Sequence, residues 1–246
     1  MKIQMDIFKN NNIAPDRRTF LSTGILFMTA TGIGGGSFLT GCENKEEKEE
    51  KEEKEVSPPE DLMQEHGILK RILLIYDACQ MHLMNKKTFP MEAISSSADI
   101  IRTFIEDYHE KQEEDYIFPR FRKANKLTDL VQVLLEQHNA GRKVTDEILQ
   151  ISKATNRREK ENQRLIELLS MFNTMYNPHE AREDTVLFPA FRKIVSQHEY
   201  DSLGEEFEKN EHKKFGEDGF TSMVDKVASI EKQLGIYELS QFTPKI

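Results

Sequence analysis

The chain contains one phrase twice, as HEKQEEDYIFPRF at residues 109–121 and as HEAREDTVLFPAF at residues 179–191. In each copy a histidine is followed four positions later by a glutamate, which gives the pairs His109–Glu113 and His179–Glu183. Four residues of an α-helix turn through about 400°, so both side chains of a pair lie on one face, one turn apart. Each pair can therefore supply an imidazole nitrogen and a carboxylate oxygen to one metal ion, and a carboxylate can also bridge two ions.

Two further histidines extend this repeat. His66 precedes His138 by 72 residues, close to the 70-residue offset between the two phrases. The repeated unit is therefore a single histidine followed, one helix later, by an HExxE motif. Two units supply four histidines and two glutamates, which is enough for a dinuclear centre. Imidazole together with carboxylate suits iron, zinc and manganese, and the lack of cysteine ligands argues against a thiolate site.

The spacing of apolar residues predicts an all-α fold. From about residue 60 onward they recur every three or four positions, with breaks near residues 85–87, 125–126 and 154–158. We predict an antiparallel up-down-up-down four-helix bundle over residues 60–196, followed by an additional C-terminal helical segment within 197–246. Each of the four helices carries one histidine on its core-facing stripe. Buried polar groups without partners cost about 1–3 kcal/mol each, and a metal ion would compensate directly.

Both copies of the phrase end in Phe-Pro, at Pro119 and Pro189. Proline inside a helix frees the carbonyl four residues earlier and kinks the helix. The freed carbonyls would belong to Asp115 and Thr185, just past the two glutamates. We expect a bend that serves helix packing and, secondarily, shapes the metal pocket.

The N-terminal region has the pattern of an export signal. Arg17 and Arg18 precede an uncharged stretch, residues 20–39, and the chain then reads Leu39-Thr40-Gly41-Cys42. Paired arginines before a mildly apolar stretch resemble a twin-arginine signal, and the last four residues resemble a lipobox in which Cys42 is lipidated. The alternative is an uncleaved membrane anchor, although a spanning helix of about 20 residues is normally more apolar.

These features define four predicted regions: an export signal with lipobox (1–42), a charged tether (43–59), the bundle (60–196) and the C-terminal extension (197–246). The expected location is the bacterial cell envelope, with the lipid at Cys42 holding the chain to a membrane. The formal net charge of −9 argues against a nucleic-acid partner.

The two-fold pattern of a histidine followed by HExxE resembles the hemerythrin-like (HHE cation-binding) family over roughly residues 60–195. The resemblance implies a four-helix bundle with a non-haem centre of two iron ions, and zinc or manganese are alternatives. In some relatives the glutamate directly after the histidine also binds metal. This makes Glu110 and Glu180 candidates, and Glu110 is the favoured one. At one position along, such a side chain points about 100° away from its histidine. The implied ligands are His66, His109, Glu113, His138, His179 and Glu183.

One position departs from the oxygen-carrying members of that family. They have HxxxH on the third helix, whereas Arg142 stands where the second histidine would be. Losing a strong ligand opens a coordination position and makes reversible oxygen carriage less expected. The resemblance then implies a protein that holds iron and binds or senses dioxygen, nitric oxide or a related ligand such as peroxide. The alternatives are an oxidoreductase acting on peroxide, nitric oxide or ferrous iron, and a bundle that binds metal only for stability. His212 is a further candidate for contact near the centre.

Overall fold

The computed structural model describes residues 56–246, and this part of the chain contains helices and no β-strand. This confirms the predicted all-α class. The predicted signal with Arg17, Arg18 and Cys42, and most of the tether, lie outside the described residues. Residues Val56–Ile246 form one compact unit, to which the C-terminal extension belongs.

Six helices follow one another along the described chain. Helix α1 is Pro58–Met84 and α3 is Thr128–Ser152. Helices α2 and α4 are longer and each combines several helical segments, over residues 92–124 and 159–191. Helix α5 is Gln197–Phe215 and α6 is Gly219–Leu234, so the predicted C-terminal helical segment consists of two helices. A short 3₁₀-helix, Leu239–Phe242, follows.

Local chemistry sets the helix ends. At the start of α1, the Glu60 carboxylate accepts a hydrogen bond from the backbone N–H of Ser57 at 3.2 Å, and two prolines begin the helix. Asn125 ends α2 in a left-handed conformation (φ 51°), and Leu127, with φ 48°, precedes α3. Asparagine tolerates this conformation better than most residues, which explains the break between α2 and α3.

The four long helices contact one another in a closed sequence: α1 with α2, α2 with α3, α3 with α4, and α4 with α1. Their buried apolar residues form two separate clusters. On α1 the order along the chain is Leu62 of the smaller cluster, then His66, then Leu69 of the larger one. On α2 the order is reversed, with Ile105 before His109 and Ile117 after it. The histidines therefore lie between two apolar layers.

The two Phe-Pro sequences are each preceded by a π-helical turn. The segments Glu113–Ile117 and Glu183–Leu187 are π-helical, and Phe118 and Phe188 donate their backbone N–H to the carbonyls five residues back. A π-turn inserts one extra residue into the helix, and such turns are, with proline, among the usual sites of helix bends. Both glutamates of the repeated phrase are thus the first residue of a π-turn. A longer π-helical segment, Ile101–His109, ends at the histidine of the first copy.

Helices α5 and α6 pack against the first two long helices. Helix α6 contacts α1 and α2, and α5 contacts α1. Arg71 of α1 makes a bidentate pair with Glu231 of α6, at 2.9 and 2.6 Å. The two helices therefore cover the outside of the α1–α2 pair, away from the ligand-bearing faces of α3 and α4.

Gly141 on α3 permits a close approach by Tyr176 of α4. A Cβ atom at Gly141 would lie 2.1 Å from the Tyr176 hydroxyl oxygen. We expect Gly141→Ala to lower the free energy of unfolding by about 1–3 kcal/mol, since overpacking forces neighbouring groups to move. Urea denaturation of residues 56–246 measures this change. Gly67→Ala is the matched control, because nothing lies within 4 Å of its Cβ, and it should stabilise its helix by about 1 kcal/mol. Equal stability of the two variants would contradict the packing argument.

Candidate metal centre

The six residues expected to bind metal meet in the interior of the molecule, and each is at most 4% exposed. Two groups of potential ligands contain Glu113, and within each group the ligand atoms lie within 4.8 Å of one another. The first group joins α2, α3 and α4, and the second joins α1 and α2. Their members are Glu113, His138, His179 and Glu183 in the first, and His66, His109 and Glu113 in the second.

The two glutamates stand between the histidine pairs. The Glu113 Oε2 atom lies 3.4 Å from His138 Nε2 and 3.8 Å from His109 Nε2. The Glu183 Oε2 atom lies 3.2 Å from His179 Nε2 and 3.4 Å from His66 Nε2. Each carboxylate therefore lies close to one histidine of each pair, His66–His109 and His138–His179.

All four histidines are oriented by a hydrogen bond at the other ring nitrogen. The Nδ1 atoms lie 2.8 to 3.1 Å from an oxygen of an outer side chain. A hydrogen bond at Nδ1 fixes the tautomer and directs Nε2 inward, as in most metal-binding histidines. The outer partners are Asp184 for His66, Glu65 for His109, Glu114 for His138 and Gln137 for His179.

Several buried polar atoms at the centre make no hydrogen bond with the described residues. They are both carboxylate oxygens of Glu113, both of Glu183, and His138 Nε2. Buried polar groups are nearly always satisfied, so a cluster of acceptors around one point requires an explanation. A cation bound by imidazole and carboxylate supplies it, and this donor set suits iron, zinc or manganese. The residues present therefore fit the implied metal.

The centre perturbs the pKa values of its own groups. Burial, together with nearby Glu183, raises the pKa of Glu113 to about 8. Burial alone would raise the pKa of Glu183, but His179 and His66 outweigh it and hold that pKa well below its ordinary value. Burial acts to lower the pKa of His138, yet the surrounding carboxylates of Glu110, Glu113 and Glu114 raise it to about 10. Metal must displace such protons, so its apparent affinity rises with pH.

Glu110 lies beside the centre, with both carboxylate oxygens engaged elsewhere. One oxygen accepts from the Tyr176 hydroxyl at 2.7 Å, and the other accepts from the Arg142 guanidinium at 2.6 Å. It belongs to a third group of potential ligands, with Glu114 and His138, and not to the two groups that contain Glu113. Glu180 is likewise outside them and pairs with Lys70 at 3.1 Å. Arg142 thus binds the outer carboxylates in place of the metal ligand found in oxygen carriers.

The other histidines lie away from the centre. His212 is exposed on α5 and belongs to no group of potential ligands among the described residues. His82 stacks on Phe89 with ring centroids 5.3 Å apart, near the end of α1, and His198 is exposed in the first turn of α5.

Sequence reasoning missed the outer partners of the four histidines. A signal was present: Glu65 and Gln137 each directly precede a predicted ligand, and Glu114 and Asp184 each directly follow one. Neighbours of a ligand on a helix point about 100° away from it, toward the adjacent helix. Which histidine each would meet depends on helix packing, and the sequence does not contain this information in readable form.

Comparisons with known proteins agree with this geometry. The hemerythrin HHE cation binding domain matches residues 57–191. The chain is also 51% identical over 190 residues to an uncharacterized protein of Mycobacterium bovis, covering 77% of this chain and 74% of that protein. Uncharacterized proteins from two strains of Mycobacterium tuberculosis match to the same extent. No solved structure matches.

The chain therefore belongs to the hemerythrin family, in the group defined by the HHE cation binding domain. The match covers α1 to α4, which carry all six predicted ligands. Membership supports cation binding, and the described clusters of histidine and glutamate could hold a metal ion. Within residues 56–246, no helix is long and apolar enough to cross a membrane.

The raised pKa of Glu113 predicts a stability effect in metal-free protein. Glu113 stays protonated in the fold up to about pH 8, whereas its ordinary pKa is 4.5. The unfolded chain loses this proton first, so the stability of the fold falls as pH rises from about 4.5 to 8. Glu113→Gln keeps the shape without the charge. We expect the metal-free variant to be more stable than wild type near pH 8, by on the order of 1 kcal/mol or more, and similar near pH 5.

The neighbouring substitution Glu114→Gln is the control, and we expect its effect on stability near pH 8 to have the opposite sign. Burial opposes ionisation of Glu114, but His138, Lys111 and Arg142 outweigh it and lower its pKa to about 2. Loss of that charge should destabilise the protein near pH 8 by about 1–3 kcal/mol. Chemical denaturation after removal of metal measures both variants. A Glu113→Gln protein less stable than wild type near pH 8 would contradict the buried protonated carboxyl.

Proposed function

We propose that this protein holds two iron ions at the centre and binds or senses a small ligand there, such as dioxygen, nitric oxide or peroxide. The observation that carries the proposal is the pair of ligand groups joined by Glu113, with carboxylate oxygens that have no hydrogen-bond partner in the described chain. His66 and His109 would hold one ion, and His138 and His179 the other. Glu113 and Glu183 would bridge them.

The order of the apolar layers supports an antiparallel up-down-up-down bundle around this centre. Along α1 and α3 the chain passes from the smaller cluster through a histidine to the larger one, and along α2 and α4 it passes the other way. Helices that alternate in this manner run in alternating directions. Such a bundle places one ligand-bearing turn from each helix at the same level.

The few protein ligands leave room for a small molecule. Two imidazoles and two shared carboxylates would serve each ion, and a non-haem iron with so few protein ligands keeps open positions. When bound, the iron supplies the redox-active, ligand-binding chemistry. The chain's own residues orient the histidines through Nδ1, exclude water with two apolar layers, and hold the charge of the outer carboxylates through Arg142.

One observation favours an oxidoreductase as the second candidate function. The Tyr176 hydroxyl is buried, donates to Glu110 at 2.7 Å, and its ring lies 5.4 Å from the His179 ring. A buried hydroxyl bonded to a carboxylate can hold a proton close to the centre. Turnover of peroxide, nitric oxide or ferrous iron by the iron-loaded protein would place this candidate first.

The metal content of residues 56–246 tests the proposal, because this segment forms one compact unit. We expect about two irons per chain and an absorption spectrum that changes when air reaches the anaerobic protein. Replacing His109 with Ala should reduce the bound iron, since loss of even an outer partner of a ligand typically lowers metal affinity by about 10- to 100-fold. His198→Ala is the matched control, because that side chain is exposed. Zinc alone, with a spectrum indifferent to oxygen, would refute the ligand-binding proposal and favour a structural metal.

We further propose that the protein is exported through the twin-arginine route and anchored to a membrane of the bacterial envelope by lipid at Cys42. The motif of Leu39 to Cys42 and the charged tether after it support this. The route carries folded proteins, so iron could be loaded before export.

Replacement of Cys42 by Ser should release the protein from the membrane fraction, because one diacylated cysteine supplies most of the membrane affinity. Replacement of Arg17 and Arg18 by Lys should instead retain the chain inside the cell. Cell fractionation and immunoblotting measure both. Membrane retention of Cys42→Ser would indicate an uncleaved anchor, and export of the double Lys variant would exclude the twin-arginine route.

A further inference from the structure

The internal repeat extends to the outer partners of the histidines. Each of the two single histidines is hydrogen-bonded by the acid that follows a repeated HExxE motif: Glu114 for His138 and Asp184 for His66. The cationic residue one turn after each single histidine, Lys70 or Arg142, pairs with a glutamate of the other phrase, Glu180 or Glu110. The two halves of the centre therefore make equivalent contacts at all of these positions.

The two halves differ in residue type at one pair of equivalent positions, Glu65 and Gln137. Each directly precedes a single histidine, and each holds the Nδ1 atom of a histidine from the repeated phrases. Glu65 Oε2 lies 2.8 Å from His109 Nδ1, and Gln137 Oε1 lies 2.9 Å from His179 Nδ1. The geometry is matched, but one partner is a carboxylate and the other is an uncharged amide.

This difference changes how strongly each imidazole binds a cation. An imidazole that donates to a carboxylate is a more basic ligand than one that donates to a neutral acceptor. The Glu65 side chain is fully buried, so solvent screens its charge little. His109 should therefore hold a cation more strongly than His179, although both have the same inward geometry.

The remaining outer carboxylates act in the same direction. Glu114, beside His138, is paired with Arg142 and Lys111, which offset its charge. Asp184, beside His66, has no Lys or Arg partner among the described residues, although it is 37% exposed. Of the groups bonded at Nδ1, the His66–His109 half therefore has two carboxylates, whereas the His138–His179 half has one carboxylate and one neutral amide.

We propose that the two halves of the centre are unequal: the His66–His109 half binds a divalent cation first and more tightly, and the His138–His179 half holds the exchangeable ion. The determinant is the Glu65/Gln137 difference. This inference rests on the proposed two-metal centre and adds the order in which it fills. Because the inner ligands are matched, the order is set by outer hydrogen bonds alone.

Zinc titration of the full chain, stripped of metal beforehand, tests the proposal through competition with a chromophoric chelator. Wild type should bind in two resolved steps. Glu65→Gln should weaken the tight step alone, and Gln137→Glu should strengthen the weak step alone, each by about 10- to 100-fold. In both single variants the two steps therefore converge. The double variant Glu65→Gln/Gln137→Glu should separate them again, with the halves exchanged.

Gln163→Glu is the matched control, since it adds the same charge at an exposed position of α4 and should leave both steps unchanged. Gln137→Glu keeps every native carboxylate, so it tests the idea even where Glu65→Gln fails to fold. Two equal steps in wild type, or single variants that leave the steps apart, would overturn the inequality while leaving a two-metal centre. Absence of bound metal in wild type would overturn both proposals.

Discussion

The fold depends on one constraint: four imidazoles and two carboxylates occupy the middle of an otherwise apolar interior. The two apolar clusters, one on each side of this polar layer, cannot merge because each long helix places its ligands between them. Burying so many ionisable groups costs free energy unless they neutralise one another or a cation neutralises them. The opposite pKa shifts of Glu113 and Glu183 show the conflict, since one carboxyl is driven to stay protonated while the other stays charged.

Hydrogen bonds and ion pairs made by the side chains around the centre stabilise these buried groups. Every inward-facing histidine has an outer oxygen at Nδ1. Among these outer groups, Glu114 is paired with Arg142 and Lys111, and Asp184 is partly exposed to solvent. Polar networks in a low-dielectric interior are costly when incomplete and rigid when complete. The side chains of the centre are therefore held in place by their outer partners, and Glu113 and Glu183 each begin a π-turn.

Much of the fold and of the centre can be predicted from the sequence because its causes are local. The i to i+4 spacing of His109 and Glu113 puts them on one helix face in any structure that keeps the helix. Turn residues and lost periodicity predict the breaks near residues 85–87, 125–126 and 154–158, and the helices end close to these points. The hydrogen bonds of Glu110 could not be predicted from the sequence because its two partners, Arg142 and Tyr176, come from other helices.

Residue type and helical period are enough to predict the four long helices, the one core-facing histidine on each of these four, and the two-fold repeat. Only the tertiary structure decided which oxygen meets which Nδ1 atom and that Pro119 and Pro189 follow π-turns. It also decided that Glu65 and Gln137 stand at equivalent points of the two halves. These facts depend on how neighbouring helices are rotated and aligned, and small shifts of a helix exchange one contact for another. The local periodicity of the sequence does not specify how neighbouring helices are aligned.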